Sequence, residues 1–131
     1  MRVLIVDDDE RLAHILAIGL RAEGMAVAVS HSPVEALRHL EGVDVLLTDF
    51  HLPGMTGLEM ANKAYVLGWR GAFFLMSGHP AKFHDPARGS RCLATLEKPF
   101  PLGMLMALLR QVKPNSSGGI AQESRTSSEE Q

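Results

Sequence analysis

Five short apolar runs, each of strand length and each divided from the next by residues with helical spacing or by turn formers, constrain this chain more than any other feature. They are Val3-Leu4-Ile5-Val6, Met25-Ala26-Val27-Ala28-Val29, Val43-Asp44-Val45-Leu46-Leu47, Ala72-Phe73-Phe74-Leu75-Met76 and Leu93-Ala94-Thr95-Leu96. Most are apolar at every position, as strands covered on both faces are. Strands of this kind alternating with helices predict an α/β fold with a parallel sheet. Leu12, Ile15, Leu16 and Leu20 form one helical stripe, opened by Asp9 as cap and closed by Gly24. Weaker helical patterns run from Pro33 to Leu40 and from Leu58 to Leu67, the second closed by Gly68, and a strongly apolar one runs from Pro101 to Val112. Between His79 and Arg91, Pro80, Pro86 and Gly89 would interrupt a long helix, so a short or irregular one is expected there.

Length and composition set the scale of the domain. With 131 residues, 46% of them hydrophobic, the chain suits one globular domain over residues 1–113. Residues 114–131 are rich in Ser, Gly, Glu and Gln and hold Ile120 as their only large apolar side chain, which predicts a disordered tail. The 13 Lys and Arg residues are scattered and nearly balanced by 15 acids, for a net charge of −2, so no direct nucleic-acid contact is expected. The single Cys92 cannot form an internal disulfide, and the apolar run at Val3–Val6 is too short for a signal peptide or a membrane span. The expectation is therefore a cytoplasmic protein away from the membrane.

Chemistry gathers at the ends of the runs. Right-handed crossovers keep parallel strands pointing one way, so residues at their carboxyl ends share one edge of the sheet, where α/β folds place ligand sites. Asp7 and Asp8 follow the first run, Asp49 the third, Ser77-Gly78 the fourth and Lys98-Pro99 the fifth. Two carboxylates about 5 Å apart repel by roughly 3 kcal/mol at an effective dielectric of about 20, so three together call for a cation or a proton. The candidate ligands are all oxygens, which favours Mg²⁺, with Mn²⁺ able to substitute. His79, His84 and Cys92 lack a recognised zinc spacing. A carboxylate beside a metal, a lysine and a hydroxyl suits in-line attack on phosphorus, since each of those groups offsets the negative charge that spreads there.

Val6-Asp7-Asp8-Asp9, the run from Leu47 through Asp49 and Pro53-Gly54 to Gly57, Met76-Ser77-Gly78 and Glu97-Lys98-Pro99-Phe100 resemble the receiver domains of two-component signalling, in the same order and at matching spacing. The resemblance covers residues 1 to about 113. It implies a flavodoxin-like fold, a five-stranded parallel sheet of order 2-1-3-4-5 with helices on both faces. It implies Asp49 as phosphoacceptor, and Mg²⁺ held by Asp8, Asp49 and the backbone carbonyl of His51, with Asp7 assisting through water. By the same resemblance Ser77 hydrogen-bonds the phosphoryl group, Lys98 pairs with it, and the Lys98-Pro99 bond is cis. The implied donor is a sensor histidine kinase or a histidine phosphotransfer protein. The output partner is an unspecified downstream protein or a second copy of the chain. A phosphoacceptor of this kind is a signalling protein and not an enzyme acting on a separate substrate.

Two other readings stand beside this one. Asp7 and Asp9 have the spacing of haloacid dehalogenase-type hydrolases, although Ser77-Gly78-His79 lacks the further acid that chemistry needs. A receiver-like module that binds proteins without phosphotransfer would keep the same acids. Three positions depart from the receiver pattern. Thr95 stands where many receivers carry a Tyr or Phe that swings inward on activation, Thr56 replaces an acid before the glycine that opens the third helix, and the segment 79–91 is interrupted. In the last helix Leu102, Leu105, Met106 and Leu109 form a stripe that can dock on the sheet, leaving Met104, Leu108 and Val112 as a second, partly exposed stripe and an expected dimer or partner contact.

Overall fold

The computed structural model describes residues 1–78 and 91–113. The readings of a short or irregular helix after His79 and of a tail over 114–131 lie outside the described residues. Five strands form one parallel sheet: β1 (Arg2–Val6), β2 (Ala26–Ser30), β3 (Val45–Asp49), β6 (Ala72–Ser77) and β7 (Cys92–Glu97), in the order β2-β1-β3-β6-β7. This is the expected 2-1-3-4-5 arrangement. Two further strands, β4 (His51–Leu52) and β5 (Met55–Thr56), pair antiparallel in a small hairpin. The turn is made at Pro53-Gly54, where Gly54 takes φ +86°, a conformation that costs glycine nothing.

Each central strand sends alternate side chains to opposite faces, so the sheet divides two cores. Val3, Ile5, Val45, Leu47, Phe74 and Met76 meet helices α1 (Glu10–Ala22) and α4 (Leu102–Leu109) on one side. Leu4, Val6, Leu46, Phe73 and Leu75 meet α3 (Gly57–Val66) and Trp69 on the other. Among the described residues no helix is long and apolar enough to cross a membrane. The outer strands β2 and β7 alternate between exposed and partly buried residues along most of their length, because each lies at an edge of the sheet.

Several local expectations need correction. The buried face of α1 is Ala13, Leu16, Ala17 and Leu20, while Ile15 is 60% exposed. At about 100° per residue Ile15 lies nearly opposite the centre of that face, and the two alanines bring the helix close to the sheet on the other side. The helix expected from Pro33 to Leu40 is the single turn α2 (Pro33–Ala36). Beyond it, Arg38 and His39 donate their N–H groups to carbonyls three residues back, a tightened winding that ends the helix. Helix α4 likewise stops at Leu109, and Val112 follows in a turn. Leu105, Met106 and Leu109 are buried as expected, with Leu102 lying against Gly19 of α1. Of the second stripe only Met104 is openly exposed, since Leu108 and Val112 pack partly buried against the α1 core.

Candidate functional site

Strands β3 and β6 end two residues and one residue beyond their apolar runs. Asp49 and Ser77 are therefore the last residues of β3 and β6, and Asp7 and Lys98 lie just past β1 and β7. Sheet pairing fixes their spacing. Asp49 stands opposite Met76, and Ser77 opposite Glu97. The Lys98 N–H donates to the Ser77 carbonyl at 2.9 Å and the Phe50 N–H to the Met76 carbonyl at 2.8 Å, which ties the three loops to the sheet edge.

Asp7 is wholly buried and occupied on every side. Its N–H donates to the Ser30 carbonyl at 3.1 Å, its Oδ1 accepts the Asp9 N–H at 2.9 Å, and its Oδ2 accepts Lys98 Nζ at 2.9 Å. Nδ1 of His31 lies 3.0 Å from its carbonyl oxygen. Lys98 Nζ also reaches Asp49 Oδ1 at 3.2 Å, so one ammonium spans two carboxylates. Asp8 is exposed at the mouth, and one carboxylate oxygen from each of Asp7, Asp8 and Asp49 lies within 4.8 Å of the others. Asp9 instead caps α1, accepting the Leu12 N–H at 3.1 Å. The cap leaves Asp9 outside the acidic cluster on which the hydrolase alternative would need it.

Charge and burial oppose one another here. Burial, with the neighbouring Asp7 charge, pushes the Asp49 carboxyl above the usual carboxylate range against the pull of Lys98. Burial works to lower the Lys98 value, but the hydrogen bond and charge of Asp7 and the charge of Asp49 outweigh it and hold the ammonium above its ordinary range. Three carboxylates against one lysine leave negative charge in excess. A cluster of oxygen donors with that excess, one of them open to solvent, fits a hard divalent cation such as Mg²⁺.

Ser77 is fully buried at the end of β6, and His51 opens the β4–β5 hairpin two residues after Asp49. Thr56 caps α3 by accepting the Glu59 N–H at 3.0 Å, while its own N–H donates to Glu59 at 2.8 Å. The hydroxyl thus serves in place of the acid found in the receiver pattern. The next residue supports the site in a way the sequence alone conceals. A Cβ on Gly57 would collide with the Asp49 carbonyl oxygen and lie 2.9 Å from Thr48 Oγ1, so only glycine lets α3 seat against the end of β3. The Lys98-Pro99 peptide is cis, and Thr95 is exposed on β7.

The comparisons with known proteins agree with this geometry. A family model described as the response regulator receiver domain matches residues 3–110. The transcriptional regulatory protein TrcR of Mycobacterium tuberculosis is 32% identical over 120 residues, 89% of this chain and 47% of that protein. The chain spans about half the length of the curated relatives it matches. A CheY-like receiver domain protein of Methanospirillum hungatei superposes with a TM-score of 0.76 at 26% identity, over 83% of this chain and 90% of that one. A response regulator protein of Burkholderia pseudomallei, solved with a phosphorylated aspartic acid, a calcium ion and citrate, superposes with a TM-score of 0.73 at 26% identity, over 84% of this chain and 66% of that one.

Proposed function

Since the chain belongs to the response regulator receiver family of two-component signalling and is homologous to transcriptional regulators, we propose that Asp49 accepts a phosphoryl group from the phosphohistidine of a sensor histidine kinase or a histidine phosphotransfer protein. The observation that carries this reading is the bridge made by Lys98, whose ammonium sits 2.9 Å from Asp7 and 3.2 Å from Asp49 at one sheet edge. An Asp49 carboxylate oxygen attacks the phosphorus in line, the P–N bond breaks with its electron pair returning to the imidazole, and an acyl phosphate results. Lys98 pairs with a phosphoryl oxygen, and the Ser77 hydroxyl donates a hydrogen bond to another.

Asp8, Asp49 and the backbone carbonyl of His51 would hold Mg²⁺, or Mn²⁺ in its place. The ion supplies positive charge to the phosphoryl oxygens when bound. Asp7 would act on it through water, a role consistent with both of its carboxylate oxygens being engaged by Asp9 and Lys98. The chain works as a signalling phosphoacceptor in the cytoplasm, where the Cys92 thiol stays reduced. Its phosphorylation changes binding to a downstream protein or to a second copy.

Incubation with acetyl phosphate and Mg²⁺ should add one phosphoryl mass, and Asp49→Asn should abolish the gain. An Asp49→Asn protein that gained the mass at the wild-type rate would remove the assignment. A folded wild type that gained none would favour the protein-binding module.

A further inference from the structure

At the opposite edge of the sheet from the acids, a cleft of about 450 Å³ opens where β6 and β7 begin and the chain leaves α4. Three cations line it: Arg70 from the loop before β6, Arg91 from the residue before β7, and Lys113 after α4. Among the described residues no carboxylate lines the cleft, and none pairs with these three. Both guanidiniums are held in place by groups other than a carboxylate among the described residues. Arg91 lies over the Tyr65 ring with 4.4 Å between its Cζ and the ring centroid, and Arg70 Nη1 donates to the Tyr65 and Trp69 carbonyls at 3.2 and 2.9 Å. Tyr65 is itself fixed, since its hydroxyl donates to the Gly71 carbonyl at 2.9 Å and its ring lies 5.3 Å from that of Trp69.

From this arrangement we infer that the cleft is a second binding site, for a small phosphate-bearing molecule of nucleotide size. Like charges lining one concavity repel, and no acid among the described residues relieves them, so a multiply charged anion is the ligand that best complements the cleft. Guanidinium forks match phosphate oxygens in pairs, and forks already anchored by an aromatic face and by carbonyls lose little freedom on binding. Leu93 and Val112 add an apolar wall beside the cations. That mixture suits an anionic group carried on a less polar body, and the volume falls within the range of small-ligand sites. Asp49 and Ser77 close the far ends of their strands, so ligand here does not compete with a phosphoryl group on Asp49.

The test is titration of the full chain, metal-free, with inorganic pyrophosphate and with ADP, followed by calorimetry and by amide NMR. Saturable binding should appear, with shifts centred on residues 65–72, 91–93 and 111–113. Affinity should fall by about tenfold or more in Arg70→Gln with Arg91→Ala, and it should persist in Asp49→Asn. Arg91→Lys, which keeps the charge and loses the fork, should give an intermediate loss and control for folding. Tighter binding of ADP than of pyrophosphate would assign the apolar wall to the nucleoside, and equal binding would assign recognition to the phosphates alone. No saturable binding at about 10 mM of either probe, or shifts centred on Lys98 and the acids, would overturn the site. So would unchanged affinity in the folded double variant.

Discussion

Lys98 is where stability and chemistry meet, because its ammonium is a partner that Asp7 and Asp49 share. Removing it leaves a wholly buried carboxylate with a single backbone donor, so Lys98→Met should cost about 3 kcal/mol, the low end for a broken buried pair because the ammonium keeps some contact with solvent. The sign of the pH dependence follows from the raised folded-state value. The contribution is complete below the ordinary lysine range and fades as pH climbs through the raised value, so the gap to wild type should hold constant through neutral pH and shrink in alkali. Urea unfolding across that range measures it, and a neutral-pH gap below about 1 kcal/mol would mean that the pair behaves as an exposed one. Gly57 makes a second prediction at this scale. Gly57→Ala should lose about 2 kcal/mol and slow phosphorylation by acetyl phosphate, because the new methyl displaces either α3 or the Asp49 carbonyl. A variant matching wild type in both would show that the contact is slack. That Asp7, Asp8, Asp49, Ser77 and Lys98 lie along one edge of the sheet was legible in the sequence because each is a polar side chain at or just past the end of an apolar run. Gly57 has no such signature, since its role rests on how near another element comes.

At the scale of elements, legibility tracked how completely a segment is enclosed. The central strands β1, β3 and β6 are buried on both faces, so continuous apolar runs marked them without ambiguity. The β4–β5 hairpin is two residues a side, too short for an alternating pattern to be read. Helix α1 was found correctly but turned wrongly at Ile15, because two alanines contribute to the buried face that larger side chains were expected to make. In α4 the second stripe is partly exposed as expected, with Leu108 and Val112 packed partly against the core and Met104 standing open at 49% exposure. Substitution separates the two environments. Leu108→Glu should cost about 2 kcal/mol because a charge enters a half-buried apolar setting, whereas Met104→Glu should change stability by less than about 0.5 kcal/mol. If Met104 belongs to a dimer or partner contact, light scattering with beryllofluoride should show assembly in wild type that Met104→Glu reduces. Equal costs for the two substitutions in thermal or urea unfolding would mean that α4 is seated differently from this account.

Taken as one molecule, the protein has two cores that lie on the faces of the sheet and a charged site that lies at its edge, so the site can be unfavourable without unpicking the fold. Three carboxylates facing one lysine are such a burden, and Asp49 carries it most plainly. Its folded-state value is raised from 3.8, chiefly by burial, so the folded chain binds this proton more tightly than the unfolded one does. Stability from Asp49 is therefore greatest in acid and declines as pH rises from the unfolded value through the raised one. At neutral pH the ionised group works against folding unless a cation joins it. Metal-free Asp49→Asn should then melt a few degrees above wild type at neutral pH, with the difference closing in acid where both side chains are uncharged. Mg²⁺ should reverse the order, because a ligand bound only by the folded state stabilises it by about 2.7 kcal/mol at a hundredfold excess over Kd. Asp8→Ala should lose most of that increment, as it removes a direct ligand, and Asp7→Ala should lose less. Differential scanning calorimetry with and without Mg²⁺ at two pH values is sufficient. A metal-free Asp49→Asn that melts at or below wild type at neutral pH would show that Lys98 already balances the acids, and the edge would then have no electrostatic need for the ion.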